Sequence, residues 1–418
     1  MDSYHIKGGS VLKGEVQISG AKNAALPVLA ASVITKGESI LMSCPDISDV
    51  DSMIRILRAL GCSISRQGET LSVDSAGMDS CKIPDHLMRE MRSSVFLAGS
   101  LLARCGEAVI SNPGGCNIGK RPIDIHIEGL KKLGAYIDRT EEHIIIRGPH
   151  LKGTDIRLSY PSVGATENIM MAALAAEGTT RIINSAREPE ITDLQEYINS
   201  CGGKVAGAGT GTIIIEGKKQ LRGCEHRIVP DRIEAGTYML MALGTGGEVL
   251  LKGMRSGLLK SLTDILQDAG YRIGTDGDDM WCRASGGGRI CGRISTEPYP
   301  GFPTDLQPQM TAFLTGNGKG SVIEENIFEK RLEYAKELKK MGADIEISEK
   351  KVIINNNNIL CGAQVEAKDL RGGAALMIAG LMAEGETTVT NTKYIKRGYS
   401  RPEEKIKGLG GEITEDEC

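Results

Sequence analysis

Cys116 stands at the centre of NPGGCNIGKRP, Asn112–Pro122, with Lys120 and Arg121 close behind it. Cations that near favour the thiolate over the thiol. The stretch holds three glycines and two prolines around polar groups, the composition of a lid brought over a binding site. A second set of charged residues shares a spacing. Lys22, Arg232 and Asp305 lie fifteen residues before Gly37, Gly247 and Gly320, and Arg92 and Arg371 lie fourteen before Gly106 and Gly385. Each glycine ends an Ala-rich apolar run, so these residues fall at or near helix starts. Arg121, Arg331 and Arg397 are expected to mark the starts of other helices. A helix start presents free N–H groups and the positive end of the dipole, where acids are preferred. Basic residues recurring there point to capture of anions such as phosphates and carboxylates.

The elements that position these residues repeat. LGCSI, LGAYI, CGGKV, AGYRI, MGADI and LGGEI recur with their glycines at 61, 134, 202, 270, 342 and 410. Upstream of each, an apolar helical run ends at a turn glycine: Gly37, Gly106, Gly178, Gly247, Gly320 and Gly385. Glycine there suits a left-handed helix cap. Each unit therefore reads as mixed α/β with two helices, the first one buried. The sixth unit lacks a closing strand after LGGEI, and HIKGGSVLKGEVQI (His5–Ile18) resembles IIIRGPHLKGTDIRL (Ile144–Leu158), which closes the second. The N-terminal strands are thus expected to complete the last unit. Three units per domain give one domain over 21–228 and a discontinuous one of 1–20 plus 229–418. An open solenoid would need polar caps rather than a split unit.

Bulk properties narrow the class. The chain has 418 residues, 40% apolar and 25% charged, with net charge −4. That suits a two-domain globular protein and gives no footprint for nucleic acid. One Trp and four Phe offer few stacking platforms for single strands. No apolar stretch has the length of a membrane span, and MDSYHIKGG does not read as a signal peptide. Eleven scattered cysteines without CxxC pairs, and only six histidines, imply reduced thiols in a cytosol, with no metal site expected. GAGTGT at Gly207–Thr212 reads as a hairpin turn and Asn355–Asn358 as a loop. For His126 a structural and a substrate-orienting role stand equal.

Longer motifs run the length of the chain: SGAKNAALP (Ser19–Pro27), PGGCNIGKRPIDIHI (Pro113–Ile127), SVGATENIM (Ser162–Met170), PDRIEAGT (Pro230–Thr237), FPTDLQPQ (Phe302–Gln309), ENIFEKR (Glu325–Arg331), DLRGGAAL (Asp369–Leu376) and RGYSRPEEKI (Arg397–Ile406). In these the chain resembles the UDP-N-acetylglucosamine 1-carboxyvinyltransferase family of enolpyruvyl transferases. The resemblance implies two inside-out α/β domains of three βαβαββ-type units, with the active site in the cleft between them. It implies transfer of the enolpyruvyl group of phosphoenolpyruvate to the 3-hydroxyl of UDP-N-acetylglucosamine, releasing phosphate, in the first committed step of peptidoglycan synthesis. No cofactor is implied.

Site roles follow from the same resemblance. Lys22, Arg121 and Arg397 would hold the phosphate and carboxylate of phosphoenolpyruvate, with Arg331 and Arg371 supporting the anionic site. Asn23 would orient the sugar and the tetrahedral intermediate, and Asp305 would take the 3-hydroxyl proton. Cys116 would protonate the methylene carbon and can form a phosphothioketal adduct or be alkylated by fosfomycin. Arg92, Arg121, Pro122, Ile123, Asp124, Ile125, Ser162, Val163, Gly164 and the backbone of Ile327 would contact the UDP-sugar. Addition of an alcohol to an enol phosphate needs an acid at the vinyl carbon and a base at the alcohol, which a cysteine and an aspartate can supply. Ser48 and Tyr160 stand where family members often carry a lysine.

Overall fold

The structure is a computed structural model describing residues 2–90, 95–111, 123–217 and 220–416. The third unit shows the common plan. Strand Asp155–Arg157 leads to helix Val163–Ala173, then to the parallel strand Thr179–Ile183. Helix Pro189–Ser200 follows, and the hairpin Lys204–Ala206 with Thr212–Glu216 finishes the sheet, Thr212–Glu216 lying antiparallel on Thr179–Ile183. This is a βαβαββ unit. Among the described residues, four of the other units also have four-stranded sheets; the remaining one has three strands and an isolated bridge, Lys82 to Val109, in the fourth place.

Patterning explains why the helices lie inside. In VGATENIMMAA every residue from Ala165 to Ala173 is buried, and in LRGGAALMIAGLM every residue from Arg371 to Leu381. A helix without a polar face must be surrounded by protein. Their alanines and glycines let neighbours approach closely. The second helix of a unit is amphipathic: in Ser48–Ala59, Val50, Met53, Ile54 and Leu57 face inward. The strands alternate buried and exposed residues, as Thr179–Ile183 does, so each sheet forms a shell with one face to solvent.

The chain divides into two compact units, residues 2–19 with 230–416, and residues 20–111 with 123–229. Each has its own apolar core. Within each, strands are lent between repeats. Glu225–Arg227 leaves the third repeat and pairs in parallel with Glu38–Met42 of the first. The sequence predicts that both N-terminal strands complete the last repeat. The structure gives that place to Ser3–Lys7 alone, between Glu386–Thr390 and Glu412–Asp416 and antiparallel to both. Lys13–Gln17 instead pairs in parallel with Glu248–Lys252 of the fourth repeat. The reason is the ring: the strand leaving one repeat serves as the first strand of the next.

The turn glycines also differ in detail from the expected helix caps. Only Gly106 directly follows its helix, Leu97–Cys105, in a left-handed conformation. Gly37, Gly178, Gly320 and Gly385 have positive φ but lie in turns further on, because the chain adds bends before entering the next strand. In the fourth repeat Gly246 takes the positive φ. Gly247 is needed for space, since a Cβ there would lie 1.9 Å from the Leu12 carbonyl oxygen. The GAGTGT stretch forms the turn of a hairpin and residues 355–358 are a loop, as read from the sequence.

Candidate active site

In the unit of residues 2–19 and 230–416, Asp305 lies in the 3₁₀ turn Thr304–Leu306 that opens helix Gln307–Asn317. Its carboxylate accepts from two guanidinium groups: Arg331 Nη2 reaches Oδ1 at 2.8 Å and Arg371 Nη2 reaches Oδ2 at 3.0 Å. Both arginine side chains are almost fully buried, at 2% and 4% exposure, whereas Asp305 keeps 25%. The carboxylate is thus anchored from behind with an edge open to solvent. Burial opposes the Arg371 charge most strongly, but Asp305, Tyr399 and Asp231 together overcome it and raise the guanidinium's pKa. Arg371 is the second residue of helix Leu370–Met382, whose first N–H groups are capped by the Asp369 carboxylate.

Two further groups hold this arrangement. The Tyr399 hydroxyl lies 2.8 Å from Thr237 Oγ1, 3.2 Å from Gln309 Nε2 and 3.4 Å from Arg371 Nη1. It joins the helices Arg232–Gly244, Gln307–Asn317 and Leu370–Met382 near their starts. Glu325, only 2% exposed, accepts from the hydroxyls of Thr296 and Thr304 and from the N–H groups of Ile327 and Phe328. Thr304 precedes Asp305 and also takes a bond from Arg331 Nη1 at 3.2 Å. One buried carboxylate therefore ties the segment bearing Asp305 to the turn leading to Arg331.

In the unit of residues 20–229, Lys22 opens helix Lys22–Ala31 and its ammonium lies 2.6 Å from Asp49, with side chains 11% and 5% exposed. Asn23 follows it on the first turn. Ser162 caps helix Val163–Ala173 by accepting from Ala165 N at 3.3 Å. Gly164 packs against Phe96 and the His126 ring, leaving no room for a side chain. His126 Nδ1 accepts from Asn168 Nδ2 at 3.0 Å, and Asn168 also binds Val95 O and Gly99 N. His126 has a structural partner here. Ile123 precedes helix Asp124–Lys132 and is buried, while Asp124 is exposed and Ile125 half-buried. Among the described residues no cluster of His, Cys, Asp or Glu could hold a metal ion, and no helix is long and apolar enough to cross a membrane.

The EPSP synthase (3-phosphoshikimate 1-carboxyvinyltransferase) family profile matches residues 6–406. Among curated proteins, UDP-N-acetylglucosamine 1-carboxyvinyltransferase 2 of Caldanaerobacter subterraneus subsp. tengcongensis is 47% identical over 99% of this chain and 99% of its own. UDP-N-acetylglucosamine 1-carboxyvinyltransferase of Myxococcus xanthus is 44% identical over the full length of both. The chain belongs to the UDP-N-acetylglucosamine 1-carboxyvinyltransferase family. Among solved structures, the enolpyruvyl transferase NikO from Streptomyces tendae superposes with a TM-score of 0.89 at 23% identity, covering 100% of this chain and 99% of that one. EPSP synthase from Acinetobacter baumannii superposes at 0.75 and 19% identity, with both chains fully covered. These likenesses carry the enolpyruvyl transferase fold.

The expected charged residues divide between helix starts, turns and the stretches outside the described residues. Lys22, Arg232, Asp305 and Arg371 lie at helix starts as the spacing predicts, and Asn23 follows Lys22. Arg331 lies in the turn before helix Tyr334–Lys340. Arg397 does not open a helix; it ends the 3₁₀ stretch Thr392–Arg397, and the next helix begins only at Pro402. The proline at that helix's first position and the intervening Gly398 displace the start downstream. Arg92, Cys116, Arg121 and Pro122, and the loop Asn112–Pro122 as a whole, lie outside the described residues. Sequence reading passed over Asp49, Glu325 and Tyr399. Glu325 and Tyr399 sit inside quoted motifs, and Asp49 is an acid in the first turn of the helix that follows Lys22–Ala31. Each acts through tertiary partners that spacing does not reveal.

Proposed function

We infer that this chain transfers the enolpyruvyl group of phosphoenolpyruvate to the 3-hydroxyl of UDP-N-acetylglucosamine, releasing phosphate, in peptidoglycan synthesis. The observation that carries this is a carboxylate, Asp305, anchored by two buried arginines yet partly open, in a chain 44–47% identical to enzymes of that name over almost its whole length. Asp305 accepts the proton of the attacking hydroxyl. Lys22, Arg121, Arg331, Arg371 and Arg397 offset the charge of two anionic substrates brought together. Asn23 orients the sugar and the tetrahedral intermediate. Cys116 delivers the proton to the methylene carbon and forms the phosphothioketal. Arg92, Pro122, Ile123, Asp124, Ile125, Ser162, Val163 and Gly164 contact the nucleotide sugar. Because Glu325 already occupies the Ile327 N–H, the Ile327 carbonyl makes the contact assigned to that backbone.

The working domain division is 21–228 against 1–20 with 229–418, supported by compact units that divide at 19/20 and 229/230. One turnover then needs residues from both. A cytoplasmic location is supported by free thiols at the nine described cysteines. The test is phosphate release from phosphoenolpyruvate, offered UDP-N-acetylglucosamine or shikimate 3-phosphate. Release with the sugar nucleotide alone is expected; release with the shikimate ester alone would overturn the acceptor. Fosfomycin should label Cys116, and Cys116→Asp should stay active and unlabelled. Full drug sensitivity in that variant would remove the cysteine from its role.

A further inference from the structure

Two thiols outside the site face one another. Cys201 caps helix Pro189–Ser200, and Cys224 precedes strand Glu225–Arg227. Their sulfurs are 3.2 Å apart, and both thiols are free. Each backbone is pinned: Cys201 N donates to Tyr197 O at 3.0 Å and its carbonyl accepts from Arg222 N at 2.9 Å, while the Cys224 carbonyl accepts from Ile40 N at 2.9 Å. The sulfurs are therefore held together by secondary structure on both sides. They are also unequal. Cys201 is 2% exposed, whereas Cys224 is half-buried and reachable. The contact with Cys201 lowers the Cys224 pKa against the opposing effect of burial, with nearby His226 adding to the lowering; the Cys201 thiol is pushed up by the same contact and by burial. Cys44, Cys62 and Cys282 are buried thiols raised by desolvation, and among the described residues none has such a sulfur neighbour.

We propose that Cys201 and Cys224 form an oxidative modification site, in which Cys224 attacks a low-molecular-weight disulfide and Cys201 resolves the product into an internal disulfide. In the first step the Cys224 thiolate bonds to one sulfur of oxidised glutathione and one glutathione thiolate leaves. Cys201 then gives its proton to that leaving thiolate and attacks the Cys224 sulfur of the mixed disulfide. The second glutathione departs and takes a proton from solvent, replacing the one lost when Cys224 ionised. Two protein thiols are oxidised and one glutathione disulfide is reduced to two thiols. The bond joins the end of a third-repeat helix to the strand that this repeat lends to Glu38–Met42 of the first. It fastens the closure of that three-repeat unit and leaves the residues assigned to chemistry untouched.

The test uses the full chain with oxidised glutathione, followed by alkylation and peptide mapping without reduction. The Cys201 and Cys224 peptides should be recovered linked, with loss of two hydrogens. The unfolding midpoint should rise by about 5 °C and fall back with dithiothreitol. Cys201→Ser, or Cys201→Ala if the serine variant does not fold, should trap a stable glutathione adduct on Cys224. Cys224→Ser should give neither link nor adduct at Cys201. Alkylation of both thiols in the oxidised wild type, or a glutathione adduct persisting on Cys224 while Cys201 stays free, would overturn the proposal.

Discussion

At the scale of single residues, two carboxyl groups, one partly open to solvent and one fully buried, stand in opposite surroundings. Asp305 faces two guanidinium groups. Asp305→Asn keeps the shape, removes the basicity and takes away the carboxylate charge that faces both buried arginines. Turnover should fall by about 10²–10⁴ while calorimetry still detects UDP-N-acetylglucosamine binding; wild-type turnover would exclude Asp305 as the base. Glu167 is fully buried with neither carboxyl oxygen hydrogen-bonded, and burial, then Glu190 and Glu188, raise its pKa well above the ordinary 4.5. Its folded form holds a proton that the unfolded chain releases above about pH 4.5. Stability contributed by this group is therefore full below that pH and declines as pH rises toward the folded value. Glu167→Gln removes the titration. Urea unfolding should show a smaller loss between pH 5 and pH 8 than in the wild type; superimposable pH profiles would mean the carboxyl is not held protonated. Asp305 was legible as chemistry because its spacing set it at a helix start. Glu167 was not, since a glutamate in an Ala-rich run reads the same whether or not a partner meets it.

Among the elements, the repeated L-x-G before a repeat's first strand has a steric cause. At Gly223 a Cβ would lie 1.7 Å from the Glu38 carbonyl oxygen, at Gly153 2.4 Å from that of Thr179, and at Gly362 2.2 Å from that of Glu386. The entering chain runs against the start of the strand it will pair with, and only hydrogen fits between. Gly223→Ala should destabilise by about 3 kcal/mol. Gly408, the last residue of helix Pro402–Gly408, has nothing within 4 Å of a Cβ and no positive φ. Gly408→Ala should be neutral or stabilise by about 0.5–1 kcal/mol. Thermal unfolding of the pair decides; similar effects at both glycines would refute the close-approach argument. The buried helices were legible here from composition, because an all-apolar Ala-rich run has no face to give to water. The start after Arg397 was misplaced because Gly398 and Pro402 set it, not the cation.

For the whole molecule, the N-terminal strand is central in a sheet otherwise built from the end of the chain, with Ser3 opposite Asp416. Joining residue 418 directly to residue 1 leaves residues 417, 418, 1 and 2 as the connection, a loop of common hairpin length. A circular permutant opened between Asn357 and Asn358, in a loop with exposed neighbours, should fold with an unfolding midpoint close to that of the parent. An insoluble product, or one lacking the parental far-UV spectrum, would count against this adjacency. The six repeats, their two helices and the inward position of the apolar ones are written in the sequence, because glycine spacing and hydrophobic pattern are local properties. The destination of each lent strand is not. HIKGG and VLKGEVQI look like one continuous closing segment, yet Ser3–Lys7 and Lys13–Gln17 enter different sheets, since the place each one fills is made by residues hundreds of positions away. The same holds for charge. Type and spacing picked out Asp305, Arg331 and Arg371 as candidates, but only packing decided that two buried arginines meet one carboxylate, because desolvation and pairing depend on what surrounds a side chain and not on its neighbours along the chain.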